Sequence, residues 1–145
     1  MITVCNMTAR HVAQVAALEK LCFADPWSEN SVAAELTHDY SVWIVALEGE
    51  TVVGYVGCQV SFEEADMMNV AVHPDHRRKG IAEAVIKELI AQLKMRQCEG
   101  LSLEVRASNT PAITLYEKME FIQVGLRKNY YRNPKEDAYI LRKSL

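Results

Sequence analysis

The chain has 145 residues, half of them hydrophobic and 24% charged, which is enough for one domain (residues 1–145) with a real core and too few for two. Nineteen acidic against sixteen basic residues give a net charge of -3, which argues against a general nucleic-acid binder. No apolar run approaches the ~20 residues needed to span a bilayer, the N-terminus lacks the regions of a signal peptide, and Cys5, Cys22, Cys58 and Cys98 form no close pair, so a cytoplasmic protein with reduced thiols and no membrane contact is expected.

Ile2 to Asn6 reads as a first strand. Thr8 can cap a helix running to about Cys22, with Val12, Val15 and Leu18 inward; Pro26 breaks it, and Ser28 can cap a second helix to about Thr37. Ser41 to Leu47 alternates around Trp43 and Val45 as a strand, and Glu48-Gly49-Glu50 turns into a long strand from Thr51 to Ser61. Within that strand Gly54 and Gly57 mark bends or close approaches. After a turn at Phe62-Glu63-Glu64, Asp66 to Val72 returns as another strand. A helix follows from about Gly80 to Arg96, with Val85, Ile86, Leu89, Ile90 and Leu93 on one face and Gly100 as its stop. Leu101 to Val105 is a short apolar strand one helix after Met68–Val72, which implies a parallel pair with a right-handed crossover. A helix over about Thr110–Met119 tolerates Pro111 in its first turn, and Phe121–Arg127 with Asp137–Leu141 forms a closing hairpin. The order β-α-α-β-β-β-α-β-α-β-β predicts an α/β domain whose mixed sheet has antiparallel hairpins at both ends and a parallel pair between.

The most informative stretch joins that parallel strand to its helix: His73-Pro74-Asp75-His76-Arg77-Arg78-Lys79-Gly80-Ile81-Ala82. Unpaired N–H groups at a helix start, about half a positive charge from the helix dipole, and three basic side chains together suit a phosphate-rich ligand. A nucleotide P-loop is excluded because Gly80 is followed by Ile-Ala-Glu, and the Gly-x-Gly-x-x-Gly of a dinucleotide fold is absent. His11, His38, His73 and His76 lack metal-ligand spacing, so no metal is expected.

What remains, Arg77-x-x-Gly80-x-Ala82, resembles the acyl-CoA pyrophosphate loop of the GNAT superfamily of N-acetyltransferases, and the element order matches that whole fold. In that family the parallel strands splay at a bulge and the gap admits the pantetheine arm, which pairs with strand backbone. The resemblance implies a single GNAT-like domain with acetyl-CoA as cosubstrate. It also implies binding by Arg77, Arg78, Lys79, Gly80, Ile81, Ala82 and Glu83 and by the backbone of Val70, Ala71 and Val72.

A second set of motifs narrows the branch. Leu103-Glu104-Val105-Arg106-Ala107-Ser108-Asn109, then Leu115-Tyr116, Arg127-Lys128-Asn129-Tyr130-Tyr131 and Phe23-Ala24-Asp25-Pro26-Trp27-Ser28 resemble the bacterial ribosomal-protein-alanine N-acetyltransferases (RimI-type). Amide formation from a thioester needs a neutral amine and expels a thiolate. A carboxylate at the C-terminal end of a parallel strand can take the first proton, directly or through a water, and a phenol that stays protonated at neutral pH can return one. By resemblance Glu104 is the proton acceptor, Tyr116 the proton donor and a cofactor contact, Asn109 a cofactor contact, and Trp27, Tyr130 and Tyr131 walls of a peptide slot. The partner implied is a protein N-terminal peptide, an N-terminal alanine of a small-subunit ribosomal protein, without direct contact to nucleic acid. An α-amine is easier to deprotonate than lysine by about 2.5 units, roughly 3.4 kcal/mol, which suits a lone carboxylate base.

Each residue also has a plainer reading. Tyr116 shares a helix stripe with Ala112, Leu115 and Met119 and can be core; Asn109 can simply cap its helix; Arg106 can be an ion-pair partner. Glu120 stands where glycine usually ends the helix in the left-handed conformation. Two other functions compete, transfer to a small-molecule amine and non-catalytic CoA sensing, although a sensor needs neither Glu104 nor Tyr116.

Overall fold

The computed structural model describes residues 1–145. The strands are β1 (Ile2–Asn6), β2 (Ser41–Glu48), β3 (Thr51–Ser61), β4 (Glu64–Val72), β5 (Gly100–Arg106), β6 (Ile122–Tyr131) and β7 (Glu136–Ser144); the helices are α1 (Val12–Cys22), α2 (Glu29–Glu35), α3 (Ile81–Met95) and α4 (Thr110–Lys118). One seven-stranded sheet runs in the order β1-β2-β3-β4-β5-β7-β6, and β4–β5 is its parallel pair. The element order is the expected one.

Alternation along β2 and β3 feeds two cores. Ile44, Ala46 and Val56 face α3 with Val85, Ile86, Leu89 and Leu93, whereas Trp43, Val45 and Tyr55 face α1 and α2 with Val15, Leu18 and Val32. The two glycines of β3 are close approaches. A Cβ at Gly57 would lie 2.5 Å from the Trp43 ring, and one at Gly54 would lie 2.8 Å from Ile81 Cγ2, so Gly54 lets the start of α3 seat on the sheet.

Several boundaries differ from the sequence reading. The stretch after Thr8 opens as a 3-10 turn over Ala9–His11, in which the Thr8 N–H donates to His11 Nδ1 at 3.0 Å, and the α-helix begins at Val12. α2 is capped as expected, with Ser28 Oγ accepting from the Ser31 N–H at 3.1 Å. Gly100 is not the stop of α3. Gln97 takes the left-handed position at φ 66°, with Cys98 N–H donating to the Leu93 carbonyl and Gln97 N–H to that of Lys94, each at 3.0 Å. Gly100 instead starts β5 beneath Arg142, whose guanidinium fills the place where its Cβ would stand. The closing hairpin is longer than expected because β7 pairs with β5 along its whole length, from Gly100↔Ser144 to Arg106↔Ala138.

The parallel pair positions the site. β4 and β5 are in register only at Glu64↔Gly100, Ala65↔Leu101 and Asp66↔Ser102. Immediately afterwards β4 bulges: Cys58 pairs with Met67 and Gly57 with Asn69, which leaves Met68 unmatched. Beyond the bulge the two strands part.

Candidate active site

The parting strands open a cleft of about 880 Å³. Met67 to Val70 of β4 and Leu103 to Arg106 of β5 form its sides, the segment after α1 and the tip of the β6–β7 hairpin its rim, and α4 its far end. Glu104, Asn109, Tyr116, Trp27, Tyr130, Tyr131 and Val70 all line it. A second concavity of about 620 Å³ shares Met67, Met68, Leu103, Glu104 and Tyr130 with it, so Glu104 stands where the two meet.

The backbone of β4 divides its duties. His73 N–H bonds to the Val53 carbonyl at 2.8 Å, and antiparallel alternation then turns the hydrogen-bonding groups of Ala71 toward Tyr55 on β3 and those of Val70 and Val72 toward the gap. Ala71 itself is buried against the α1 side. Among the three residues expected to offer backbone, Val70 and Val72 therefore face the gap and Ala71 supports them from behind.

At the start of α3, Gly80 is left-handed at φ 75° with open space around it. The Ala84 N–H is the first to bond back, to the Gly80 carbonyl at 3.0 Å, which leaves the N–H groups of Ile81, Ala82 and Glu83 unpaired at the helix start. Arg78 and Lys79 are exposed beside them. Arg77 bends back to the gap, its Nε donating to the Val72 carbonyl at 3.4 Å. The Glu83 side chain faces α4 instead: Lys118 and Lys87, each at 2.9 Å, hold its carboxyl down to about 2.

The β5 end carries the titratable groups. Glu104 is partly exposed, with Arg127 Nε 3.7 Å from its Oε1. Burial, and then the nearby Glu104 carboxylate, pushes the Tyr131 phenol up to about 12. Tyr116 is buried, tilted against Phe121 at 5.6 Å, and its phenol is also pushed up by burial and by Tyr131, so it is fully protonated at neutral pH. Asn109 caps α4, its Oδ1 accepting from the Ala112 N–H at 3.3 Å, and it also lines the cleft.

Arg106 is structural. Its guanidinium donates to the carbonyls of Pro134 (2.9 Å) and Arg132 (3.0 Å), meets Glu136 at 3.3 Å and lies 4.4 Å over the Tyr131 ring. It pins the hairpin tip that presents Tyr130 and Tyr131.

Sequence reasoning missed Glu19, Asn69 and Arg127. Glu19 is fully buried in α1 and accepts from the Trp27 N–H. It follows Val15 by four positions and Val12 by seven, so it lies on the inward face, and a charge there was the available signal.

The family model described as Acetyltransferase (GNAT) family matches residues 12–121. The ribosomal protein bS18-alanine N-acetyltransferase of Escherichia coli (strain K12) is 37% identical over 126 residues, 86% of this chain and 84% of that protein. The crystal structure of the Escherichia coli ribosomal-protein-S18-alanine N-acetyltransferase superposes with a TM-score of 0.91 at 32% identity, covering 99% of this chain and 94% of the other. Arabidopsis thaliana NAA60 in complex with acetyl-CoA shares the fold, with a TM-score of 0.88 at 19% identity over 100% of this chain and 99% of the other.

Proposed function

The chain belongs to the acetyltransferase (GNAT) family, and from that premise we propose that it transfers the acetyl group of acetyl-CoA to the N-terminal alanine of ribosomal protein bS18. The observation that carries this reading is that a carboxylate, Glu104, and a protonated phenol, Tyr116, line one cleft at the parting of β4 and β5, walled by Trp27, Tyr130 and Tyr131. Four unpaired cysteines and a ribosomal acceptor support a cytoplasmic setting, with the peptide rather than nucleic acid or membrane as the partner.

The free N–H groups at the start of α3, with Arg77, Arg78 and Lys79, suit a pyrophosphate, and the gap-facing backbone of Val70 and Val72 suits the amides of a pantetheine arm. Asn109 borders the same passage. Acetyl-CoA supplies an activated carbonyl. Glu104 takes a proton from the incoming ammonium, and the freed amine attacks that carbonyl; a C–N bond forms, the C–S bond breaks, and the electron pair leaves on sulfur. Tyr116 gives its proton to the sulfur and recovers one from the amine nitrogen through solvent. A thiolate expelled into this buried corner is itself raised in basicity, which offsets the weakened acidity of the phenol. One proton leaves to bulk water per turnover.

Thiol release from acetyl-CoA tests the reading with two peptides, one beginning with free alanine and one N-terminally blocked but carrying lysine. Release with the first alone is the expected result. Release with neither, together with turnover of small amines, would overturn it in favour of a small-molecule acetyltransferase.

A further inference from the structure

The Glu19 carboxylate has no part in proton transfer, yet it is fully buried in the middle of the molecule. All its partners are neutral donors from other segments. The Trp27 backbone N–H donates to Oε1 at 2.8 Å, the Asn69 side-chain amide donates to Oε2 at 2.8 Å, and the Tyr55 hydroxyl also donates to Oε2. Burying a carboxylate without a cation is costly, and it persists only where several donors converge on it.

The donors have one thing in common. Trp27 belongs to the rim expected to receive the acceptor peptide, and Asn69 follows the unmatched Met68 of β4, on the strand expected to hold the acetyl donor. Tyr55 stacks on Trp43, and Trp43 meets Trp27 edge-on at 5.4 Å, so the third donor reaches the same rim through two rings. The other buried carboxylate, Glu35, differs in its direct partners: it binds His38, Ser41, Trp43 and Gln59, takes no donor from the rim or from β4, and reaches Trp27 only through the Trp43 ring.

We infer that Glu19 is a positioning residue that ties the Trp27 rim to the bulged strand β4, fixing where the acceptor amine stands relative to the acetyl donor at Glu104. The inference rests on the acceptor reading above. That reading fails if the wild-type enzyme does not acetylate an alanine peptide; this one fails only in the ratios between variants.

Glu19→Ala removes the tie. Glu19→Gln can keep it, because the amide oxygen still accepts from Trp27, while the amide nitrogen donates to the Tyr55 oxygen and to a flipped Asn69. Val15→Ala, fully buried one turn earlier on the same helix and in the same apolar cluster as Tyr55, lowers stability without removing a donor. Steady-state kinetics below the melting temperature should show the KM for the alanine peptide rising roughly 10-fold or more in Glu19→Ala, with the KM for acetyl-CoA within about 3-fold, because sub-ångström misplacement acts on the acceptor. Glu19→Gln should restore most of the acceptor KM, and Val15→Ala should leave both constants unchanged. An unchanged acceptor KM in Glu19→Ala, or an equal rise in Val15→Ala, overturns the inference. Should Glu19→Ala not fold, Tyr55→Phe is read the same way: a rise of about 3-fold in acceptor KM alone supports the tie, and none overturns it.

Discussion

Replacing Glu120 by glycine should stabilise the protein. Glu120 sits just past α4 at φ 72°, its N–H bonded to the Glu117 carbonyl at 2.9 Å and that of Phe121 to the Tyr116 carbonyl at 2.9 Å. A side chain in this left-handed conformation costs about 1–2 kcal/mol that glycine does not incur. Glycine returns about 0.4–1 kcal/mol of that as extra freedom of the unfolded chain. The acid also faces the negative end of the helix dipole, a further penalty of about 0.3 kcal/mol. Its one ionic partner, Lys143 at 3.9 Å, offers little because Glu120 is 86% exposed. The net is close to 1 kcal/mol of stabilisation. With an unfolding entropy of roughly 2.1 cal/mol/K per residue over 145 residues, Tm should rise by about 2–4 °C in a calorimetric melt. Gln97 repeats the same motif at the end of α3 at φ 66° and gives an independent copy of the experiment. Gln97→Gly should shift Tm in the same direction, and the double variant should add the two shifts, since the sites share no partner. The kcat should not change. An unchanged or lower Tm in both single variants would refute the reasoning.

Glu104→Gln should lower kcat by about 10²-fold or more while acetyl-CoA affinity stays unchanged in calorimetric titration; undiminished turnover would remove Glu104 as the base. Arg106→Lys keeps the charge but loses the fork that holds the Pro134 and Arg132 carbonyls, and should destabilise the hairpin tip by about 1–2 kcal/mol, read as faster proteolysis within residues 132–135. Burial raises the Glu35 carboxyl, but donors from Gln59, Trp43, Ser41 and His38 outweigh it, and its folded value lies below the usual carboxylate range. Its contribution is therefore complete above about pH 4.5 and is lost as pH falls through the lower folded value. Glu35→Gln should be less stable at pH 7 and show a shallower loss of stability below about pH 4.5 in urea melts; parallel curves for the two proteins would rule this out.

The order of elements was legible because period-2 and period-3.6 apolar patterns alternate cleanly along the chain, and the site motifs sit where strands and helices meet. Two kinds of feature were not legible. Left-handed helix ends are conventionally signalled by glycine; the sequence marks Glu120 as standing in such a place, but at the end of α3 it is Gln97 that fills the role while Gly100 yields to the Arg142 guanidinium instead. Composition does not reveal that exchange. Convergent polar contacts were hidden as well, since the donors to Glu19 come from positions 8, 36 and 50 residues further along the chain. Glu104, Tyr116, Asn109, Trp27, Tyr130 and Tyr131, which the motifs single out, line one cleft at the parting of β4 and β5.

That parting has a thermodynamic consequence. With only the rungs from Glu64↔Gly100 to Asp66↔Ser102 joining the two halves of the sheet, much of its middle is left open where a ligand is proposed to act as the missing strand. A ligand that completes a sheet stabilises it by mass action, adding about 2.7 kcal/mol at a hundredfold excess over its Kd. Acetyl-CoA and CoA carry the same arm and would complete the same gap, so the spent product should protect against heat nearly as well as the substrate. If the two fill the gap alike, free CoA inhibits as a product, and where together they saturate the site the rate follows the ratio of acetylated to free CoA rather than the amount of either.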